Sequence, residues 1–322
     1  MTYYPMKLSY ITKSPLWGGT RLLKGWGKQA EQPTVGESWE LTVRENGMCC
    51  VENGAFAGRT LAELIGESDG IMGKPSPDGF PLLIKLIDAQ ERLSVQVHPD
   101  DSYAERVEND RGKTEMWYIV EADEGAEIIC GLADGTTRGD FADAVRAGDP
   151  ERVLQHRKVQ AGEAYFIPAG LPHAIGKGIL IAEIQQNCDL TYRVYDYNRR
   201  QPDGSLRQLQ VKKALEVVRP YTQEEINAVR YSGCGGVPST PELLADCCYF
   251  RVRKLTAAGE IPVPDEGGMR HLLCLSGSAD LLCNGVRYHT GKGDSYLLPA
   301  AMPTAALSGN AVFLLTSLPY HP

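Results

Sequence analysis

No C-x-x-C pair occurs anywhere in the 322 residues. The nine cysteines are odd in number, and two pairs, Cys49-Cys50 and Cys247-Cys248, are adjacent. Neither a zinc ribbon nor a disulfide framework has that pattern. Most of the cysteines sit in apolar runs such as HLLCLSG and ADLLCNG, where cysteine behaves as a small hydrophobe. No apolar run reaches the roughly 18 residues of a membrane span. The start, MTYYPMKLSYITK, lacks a basic-then-apolar signal region, so a cytoplasmic protein is expected. Positive charge is in deficit as well, with a net charge of −8 at pH 7. That balance argues against a general nucleic-acid binder and against a binder of anionic membranes. An anionic ligand would have to meet a local basic pocket.

What is present is a chain able to bury a full core, 43% hydrophobic and 23% charged. Most of it reads as short strands: ESWELTV, PLLIKLI, RLSVQVH, MWYIVEA, AEIICGL, EAYFIPA, GILIAEIQQ, TYRVYDY, HLLCLSG, ADLLCNG and DSYLLPA. With 34 Gly and 20 Pro between them, the spacing predicts a mainly β sandwich or barrel. Helical signals interrupt it in RTLAELIG, in TRGDFADAVRAGDPERVLQH and in LQVKKALEVV. A capping box runs from Thr222 to Glu225. Asp149-Pro150 offers an N-cap followed by proline at a first helical position. SGCGGVPSTPE, residues 232–242, is the expected linker.

The strongest organisational signal is a repeat. GEAYFIPAGLPH (162–173) and GDSYLLPAAMPT (293–304) share G-x5-P-x-(G/A)-x2-(H/T). A glycine turns the chain into a strand, and a proline closes that strand where no ladder is broken. The last position differs: His173 in the first copy is Thr304 in the second.

In LSVQVHPD, Leu93, Val95 and Val97 alternate with Ser94, Gln96 and His98. Alternate residues of a strand share a face, so Gln96 and His98 project together, at a strand end before Pro99. The next strand opens at Glu115 and runs into an aromatic stretch. Taken singly, His98 reads as a loop histidine and Glu115 as a surface carboxylate. Taken with His173, one amide oxygen, two imidazoles and one carboxylate come from strand ends that can converge on a metal. Imidazole and carboxylate suit Zn²⁺, with Mn²⁺, Fe²⁺, Co²⁺ and Ni²⁺ as alternatives.

G-x5-P-x-G-x2-H resembles the second signature of the cupin superfamily, and Gln96-x-His98 with Glu115 stands where the first signature usually has HxH and a Glu. Several further blocks resemble the type I phosphomannose isomerases in their short bacterial form. They are LWGGTRL (16–22), GESWEL (36–41), PLLIKLIDAQERLSVQVHPDD (81–101), GKTEMWY, PAGLPHA and DLTYRVYDYNR. The blocks run from about residue 15 to about residue 200.

The resemblance implies two cupin-like (double-stranded β-helix, or jelly-roll) barrels with helical insertions. The first, residues 1–235, would be catalytic. The second, 236–322, would be a degenerate, metal-free copy in which His271 stands roughly where Glu115 begins its strand. The implied activity is the interconversion of mannose 6-phosphate and fructose 6-phosphate through an enediol(ate), with one zinc per chain held by Gln96, His98, Glu115 and His173. The partner would be a small sugar phosphate, with no nucleic acid and no membrane.

Arg193, four residues after Asp189, matches the family's functional arginine, for charge stabilisation or proton handling; its plain alternative is a salt bridge to Asp189 or Asp196. Lys113 matches the lysine two residues before the glutamate ligand; near Zn²⁺ and Arg193 its pKa could fall enough for acid/base work, and it could equally contact the phosphate or a sugar hydroxyl. Lys85, an odd charge inside PLLIKLI, and Trp17 are expected substrate-pocket residues, against an outward strand position and core packing respectively. Glu37, Trp39 and Glu40 are weaker candidates. Longer family members have His-Lys-Pro-Glu where this chain has Gly112-Lys113-Thr114-Glu115, so no scheme that needs that histidine as base applies here. The other readings are a non-catalytic sugar-phosphate-binding cupin regulator and a metal cupin with oxygen chemistry.

Overall fold

The computed structural model describes residues 2–73, 79–228 and 241–319. Nearly all of the expected linker, and the boundary drawn at 235/236, lie outside the described residues. The chain is mainly β. Among the described residues no helix is long and apolar enough to cross a membrane.

The first half is a stack of layers. One antiparallel sheet has six strands in the order Ala164–Ile167, Glu115–Ala122, Ile179–Gln186, Leu82–Ala89, Glu37–Leu41 and Ile11–Lys13. Another has five, in the order Leu154–Lys158, Glu127–Leu132, His173–Ile175, Val95–Val97 and Tyr192–Tyr195. The inner strands of the six-stranded sheet are buried on both faces, which is why they read as unbroken apolar runs. Their period of two still sorts them. Leu82, Ile84, Leu86, Met116, Leu180, Ala182 and Ile184 enter a large core shared with the second half. Ile87, Trp117, Ile119, Ile179 and Ile181 face the five-stranded sheet and meet Ile128 and Ile175 there.

On its other face the five-stranded sheet buries Val95, Val97, Ile129, Tyr192 and Val194 against three helices. These helices, Asp101–Glu108, Arg138–Arg146 and Val211–Val217, contribute Tyr103, Phe141, Ala214 and Val217. With Val95 and Val97 facing the helices, Ser94, Gln96 and His98 are left to face the other sheet. The site lies between the two sheets.

The barrels expected from the sequence are not closed; each sheet keeps two ends. At the corner where the strand Ala164–Ile167 passes into His173–Ile175, Pro168 and Pro172 lack the N–H groups a joining ladder would need. After Pro99 the chain forms the helix Asp101–Glu108, capped by Asp100, which accepts from Tyr103 N at 2.9 Å. Two local expectations change. Asp149-Pro150 begins only a single 3-10 turn, Glu151–Val153, because Leu154 already pairs with Leu132 in a ladder. HLLCLSG and ADLLCNG are one strand, Arg270–Cys283, with a register shift at Cys274/Ser276.

The second half is one seven-stranded sheet. Leu272 and Cys274 near one end of the long strand, and Leu281 and Cys283 at the other, enter the same core, so the strand bends across it. Gly277 permits the bend: its φ is +73°, and a Cβ there would lie 2.1 Å from Asn310 O. The sheet also takes in the start of the chain, since Met6–Lys7 pairs with Ser295–Leu298. Cys49, Cys130, Cys188, Cys274 and Cys283 are buried as expected for small hydrophobes, whereas Cys248 is exposed; burial pushes the Cys49 thiol up to about 12.

Candidate active site

The two copies of the repeat turn the same corner. Gly162 and Gly293 have φ of +94° and +89°, the left-handed region that favours glycine. Leu171 N donates to Pro168 O at 3.1 Å, and Met302 N donates to Pro299 O at 3.2 Å. Beyond the corner the first copy starts the strand His173–Ile175, whose first residue is fully buried.

That strand lies beside Val95–Val97, and the next strand is Tyr192–Tyr195. In register, Gln96 is opposite both His173 and Arg193, so these three side chains share one face of the five-stranded sheet. Across from them, the six-stranded sheet places Glu115 opposite Gln185, and Glu183 opposite Lys85 and Trp117. The sequence-predicted residues therefore come from two sheets that face each other.

At the bottom of this space His98, Glu115 and His173 converge, all buried, with ligand atoms within 4.8 Å of one another. The imidazole Nε2 atoms are 3.1 Å apart. His98 Nε2 is 3.5 Å from Glu115 Oε2, and His173 Nε2 is 3.6 Å from Glu115 Oε1. The outer nitrogens are already engaged: His98 Nδ1 is 2.8 Å from Leu190 O, and His173 Nδ1 is 2.8 Å from Leu171 O. A carbonyl only accepts, so each Nδ1 carries the hydrogen and donates it. Burial holds both rings neutral, His98 well below its ordinary pKa and His173 at about 4. Both Nε2 atoms then turn a lone pair inward, beside a carboxylate whose Oε1 has no hydrogen-bond partner. Two lone pairs and an anionic oxygen facing one another are repulsive, and a shared cation removes the repulsion. Backbone carbonyls that fix the tautomer of metal-binding imidazoles are the usual outer support of such sites.

Above the cluster is a cavity of about 310 Å³, bordered by Gln96 and Lys113. Five cations (Lys13, Lys85, Lys113, Arg193 and Arg207) and three carboxylates (Glu37, Glu183 and Asp189) line it. A chain of net negative charge thus turns a cationic pocket toward its ligand. Lys113 Nζ is 2.9 Å from Glu115 Oε2 and 3.9 Å from Glu183 Oε1. Burial disfavours its charge, but Glu115 and Glu183 outweigh burial and the pKa is raised.

Lys85 does not point outward. It is buried between the sheets, 3.6 Å from both Glu37 and Glu183 and 3.7 Å from Asp189. Burial lowers its pKa, yet Glu37 and Glu183 leave it raised overall. Trp17 both packs in the inner core and borders the cavity. Trp39 donates to Glu37 at 2.7 Å and lies under the Lys85 ammonium at 5.1 Å. Glu40, by contrast, is not in the cavity; it pairs with Lys28 at 2.8 Å. Arg193 makes no ion pair with Asp189 or Asp196, and its Nε is buried without a partner. Burial, then the neighbouring Arg207, disfavour its charge.

The lining residues not singled out in the sequence include Glu183 and Arg207. Glu183 accepts from Trp117 Nε1 at 3.1 Å through Oε2, while its Oε1 is buried with no hydrogen-bond partner. In GILIAEIQQ it is one polar residue in an apolar run, and only alternation with Ile181 and Ile179 would have sent it to the same face as the site. Arg207 reaches the cavity from a loop, and no local pattern marks it.

The model of the phosphomannose isomerase type I catalytic domain matches residues 6–137. A Bacillus subtilis protein named mannose-6-phosphate isomerase is 36% identical over 99% of this chain and 100% of its own length. A second from the same organism, named probable mannose-6-phosphate isomerase, is 36% identical over 97% of this chain and 99% of its own. The crystal structure of a Bacillus subtilis mannose 6-phosphate isomerase superposes with a TM-score of 0.89 at 33% identity, covering 98% of this chain and 99% of that one. Phosphomannose isomerase from Salmonella typhimurium shares the fold, with a TM-score of 0.79 at 15% identity over 98% of this chain and 100% of that one. With full-length relatives at this identity, and with the buried His-Glu-His cluster under a cationic cavity, the chain belongs to the type I phosphomannose isomerase family.

Proposed function

We propose that the protein interconverts D-mannose 6-phosphate and D-fructose 6-phosphate through an enediol(ate), with one zinc ion held by His98, Glu115, His173 and Gln96. The observation that carries the reading is the inward-facing, neutral imidazole pair against a buried carboxylate, at the floor of a cationic cavity of sugar-phosphate size. The separations of 3.1, 3.5 and 3.6 Å are close to the edges, about 3.4 Å, of a tetrahedron with metal–ligand bonds of about 2.1 Å. When bound, zinc supplies Lewis-acid stabilisation of negative charge on the substrate oxygens at C1 and C2.

The remaining work falls to the chain itself. Arg193 brings a guanidinium whose Nε is buried with no hydrogen-bond partner among the described residues, suited to developing negative charge on oxygen. Lys113, 2.9 Å from Glu115, stands beside the cluster where it can donate to a substrate oxygen or take part in proton transfer. Glu183, whose free Oε1 lies near Lys85 and Lys113, is placed to accept a proton. Lys85 and Trp17 shape the pocket and hold substrate hydroxyls or phosphate.

The test is formation of fructose 6-phosphate from mannose 6-phosphate by the purified full chain, before and after chelation and after zinc is restored. Turnover that chelation abolishes and zinc recovers is expected. Binding of the sugar phosphate with no isomerisation after zinc reconstitution would overturn the reading.

A further inference from the structure

Arg207 lies on a loop that leaves the strand Tyr192–Tyr195 and comes back to it. The loop starts at Asp196 and passes through Tyr197 and Asn198, both left-handed, with φ of +56° and +54°. Two consecutive non-glycine residues in that region are strained. The Arg92 guanidinium stacked 3.4 Å over the Tyr197 ring holds the first of them. A tight turn follows, with Gln201 N donating to Ser205 O and Gly204 N to Gln201 O, both at 2.8 Å. The return is fixed at Gln210. Its N–H donates to Arg193 O at 2.9 Å, and its Oε1 accepts from Arg193 N at 3.0 Å. The loop therefore closes on the backbone of Arg193, and Arg207 arrives beside Arg193 at the cavity wall.

Burial of apolar surface does not hold this arm, since Leu206 and Leu209 on either side of Arg207 are exposed. What holds it is Asp196, itself buried. Its Oδ1 pairs with Arg199 and lies 3.6 Å from Arg207, while its Oδ2 is buried without a hydrogen-bond partner. One carboxylate shared between two guanidiniums leaves positive charge over. In the cavity, Arg207 is the largest electrostatic influence against the charge on Arg193. Arg193 and Arg207 line one pocket, and the Asp196 carboxylate behind Arg207 is shared with Arg199, so the two lining guanidiniums favour an anion entering between them.

We propose that Arg207 is the anchor for the substrate's phosphate group, with Asp196 as the residue that positions it. This rests on the reading that the cavity takes a sugar 6-phosphate. The division of labour is that Arg207 holds the end of the substrate that does not react, whereas Arg193 acts at the oxygens that do.

Arg207→Ala should raise the KM for mannose 6-phosphate about 10- to 100-fold, the loss of one charged hydrogen-bonding partner. Its kcat should stay within about threefold of wild type, because uniform binding is what has been removed. Competitive inhibition by inorganic phosphate should weaken by the same factor as KM rises, and Arg207→Lys should recover part of both. Calorimetric binding of inorganic phosphate to wild type and Arg207→Ala gives a readout independent of turnover. If the wild type fails to isomerise but binds phosphate through Arg207, the isomerase reading fails and the anchor stands. An active wild type with unchanged KM and phosphate affinity in Arg207→Ala overturns the anchor alone. A fall in kcat at constant KM also overturns it, because the loop would then serve Arg193 and not the phosphate. A wild type that neither turns over nor binds phosphate overturns both.

Discussion

The corner at 162–173 and the corner at 293–304 have one backbone and different contents. Each opens on a left-handed glycine, each closes with a residue donating back to a proline carbonyl, and the short strand of each pairs with a longer one. In the first half Ile167 is opposite Glu115; in the second, Leu298, at the same place in the motif, is opposite Arg270. So the structural counterpart of Glu115 is Arg270, one residue before the histidine expected there. Arg270 is buried and spends its guanidinium on Pro264 O at 3.0 Å. Thr304, in the place of His173, is exposed. A cation replaces the buried carboxylate and a hydroxyl in solvent replaces an imidazole. Glycine and proline set the corner in both halves, while the chemistry depends on residues the corner leaves free to vary.

His271 turns to another task. It is fully buried, 2.6 Å from Ser295 Oγ, which in turn donates to Glu40 O at 2.9 Å. Nearby, Lys28 bridges Glu40 and Gly293 O, each at 2.8 Å. The second copy of the motif thus carries a buried polar joint to the first half where the first copy carries the candidate metal cluster. Burying the Lys28–Glu40 pair is defensible only because each charge is met by its partner and by further hydrogen bonds.

The contrast can be broken in several ways. Substituting the ligand carboxylate, Glu115→Gln, should lower kcat about 1,000-fold or more by removing the negative charge from the site. The matching change in the other half, Arg270→Gln, should leave kcat near wild type; steady-state kinetics on both decide it. Arg193→Ala should lower kcat about 100-fold or more while the metal stays in place. Loss of metal along with turnover would make Arg193 a structural residue.

The two glycines should part company in a denaturant titration. Gly162→Ala meets no atom within 4 Å and should cost only the left-handed strain, about 1 kcal/mol. Gly293→Ala would put its Cβ 2.5 Å from Trp26 O and disturb the Lys28 bond, so about 2–4 kcal/mol is expected.

The mildest test is acid. Burial lowers the His271 pKa to about 3, so between the ordinary value near 6.5 and that value the unfolded chain binds a proton that the folded chain refuses. Stability is full above pH 6.5 and falls as the pH drops. At pH 5 this one group accounts for about 2 kcal/mol. His271→Gln should flatten the decline between pH 7 and pH 5 by about that amount in urea unfolding, against whatever the variant loses at pH 7.

Much of the site was legible because its residues stand at strand ends marked by turns. His98 precedes Pro99, Glu115 follows a glycine-containing loop, and His173 closes a motif with two prolines. Alternation correctly put Gln96 and His98 together. The face of Lys85 was harder to read, because a strand buried on both sides has no polar side to orient it. Glu183 was hidden for the same reason. Arg207 is close to Arg193 only because Gln210 returns to it, and the helix Asp101–Glu108 escaped notice because only Tyr103 and Ala104 are buried on it. Those facts come from tertiary packing and not from local pattern.

The central claim is that the first copy of the motif holds a metal and the second does not. Metal content per chain, measured on purified wild type and on His173→Ala, tests it most directly. The account requires one zinc per chain in the wild type and close to none in His173→Ala. Two metals in the wild type, or one still bound after His173 is removed, would contradict it.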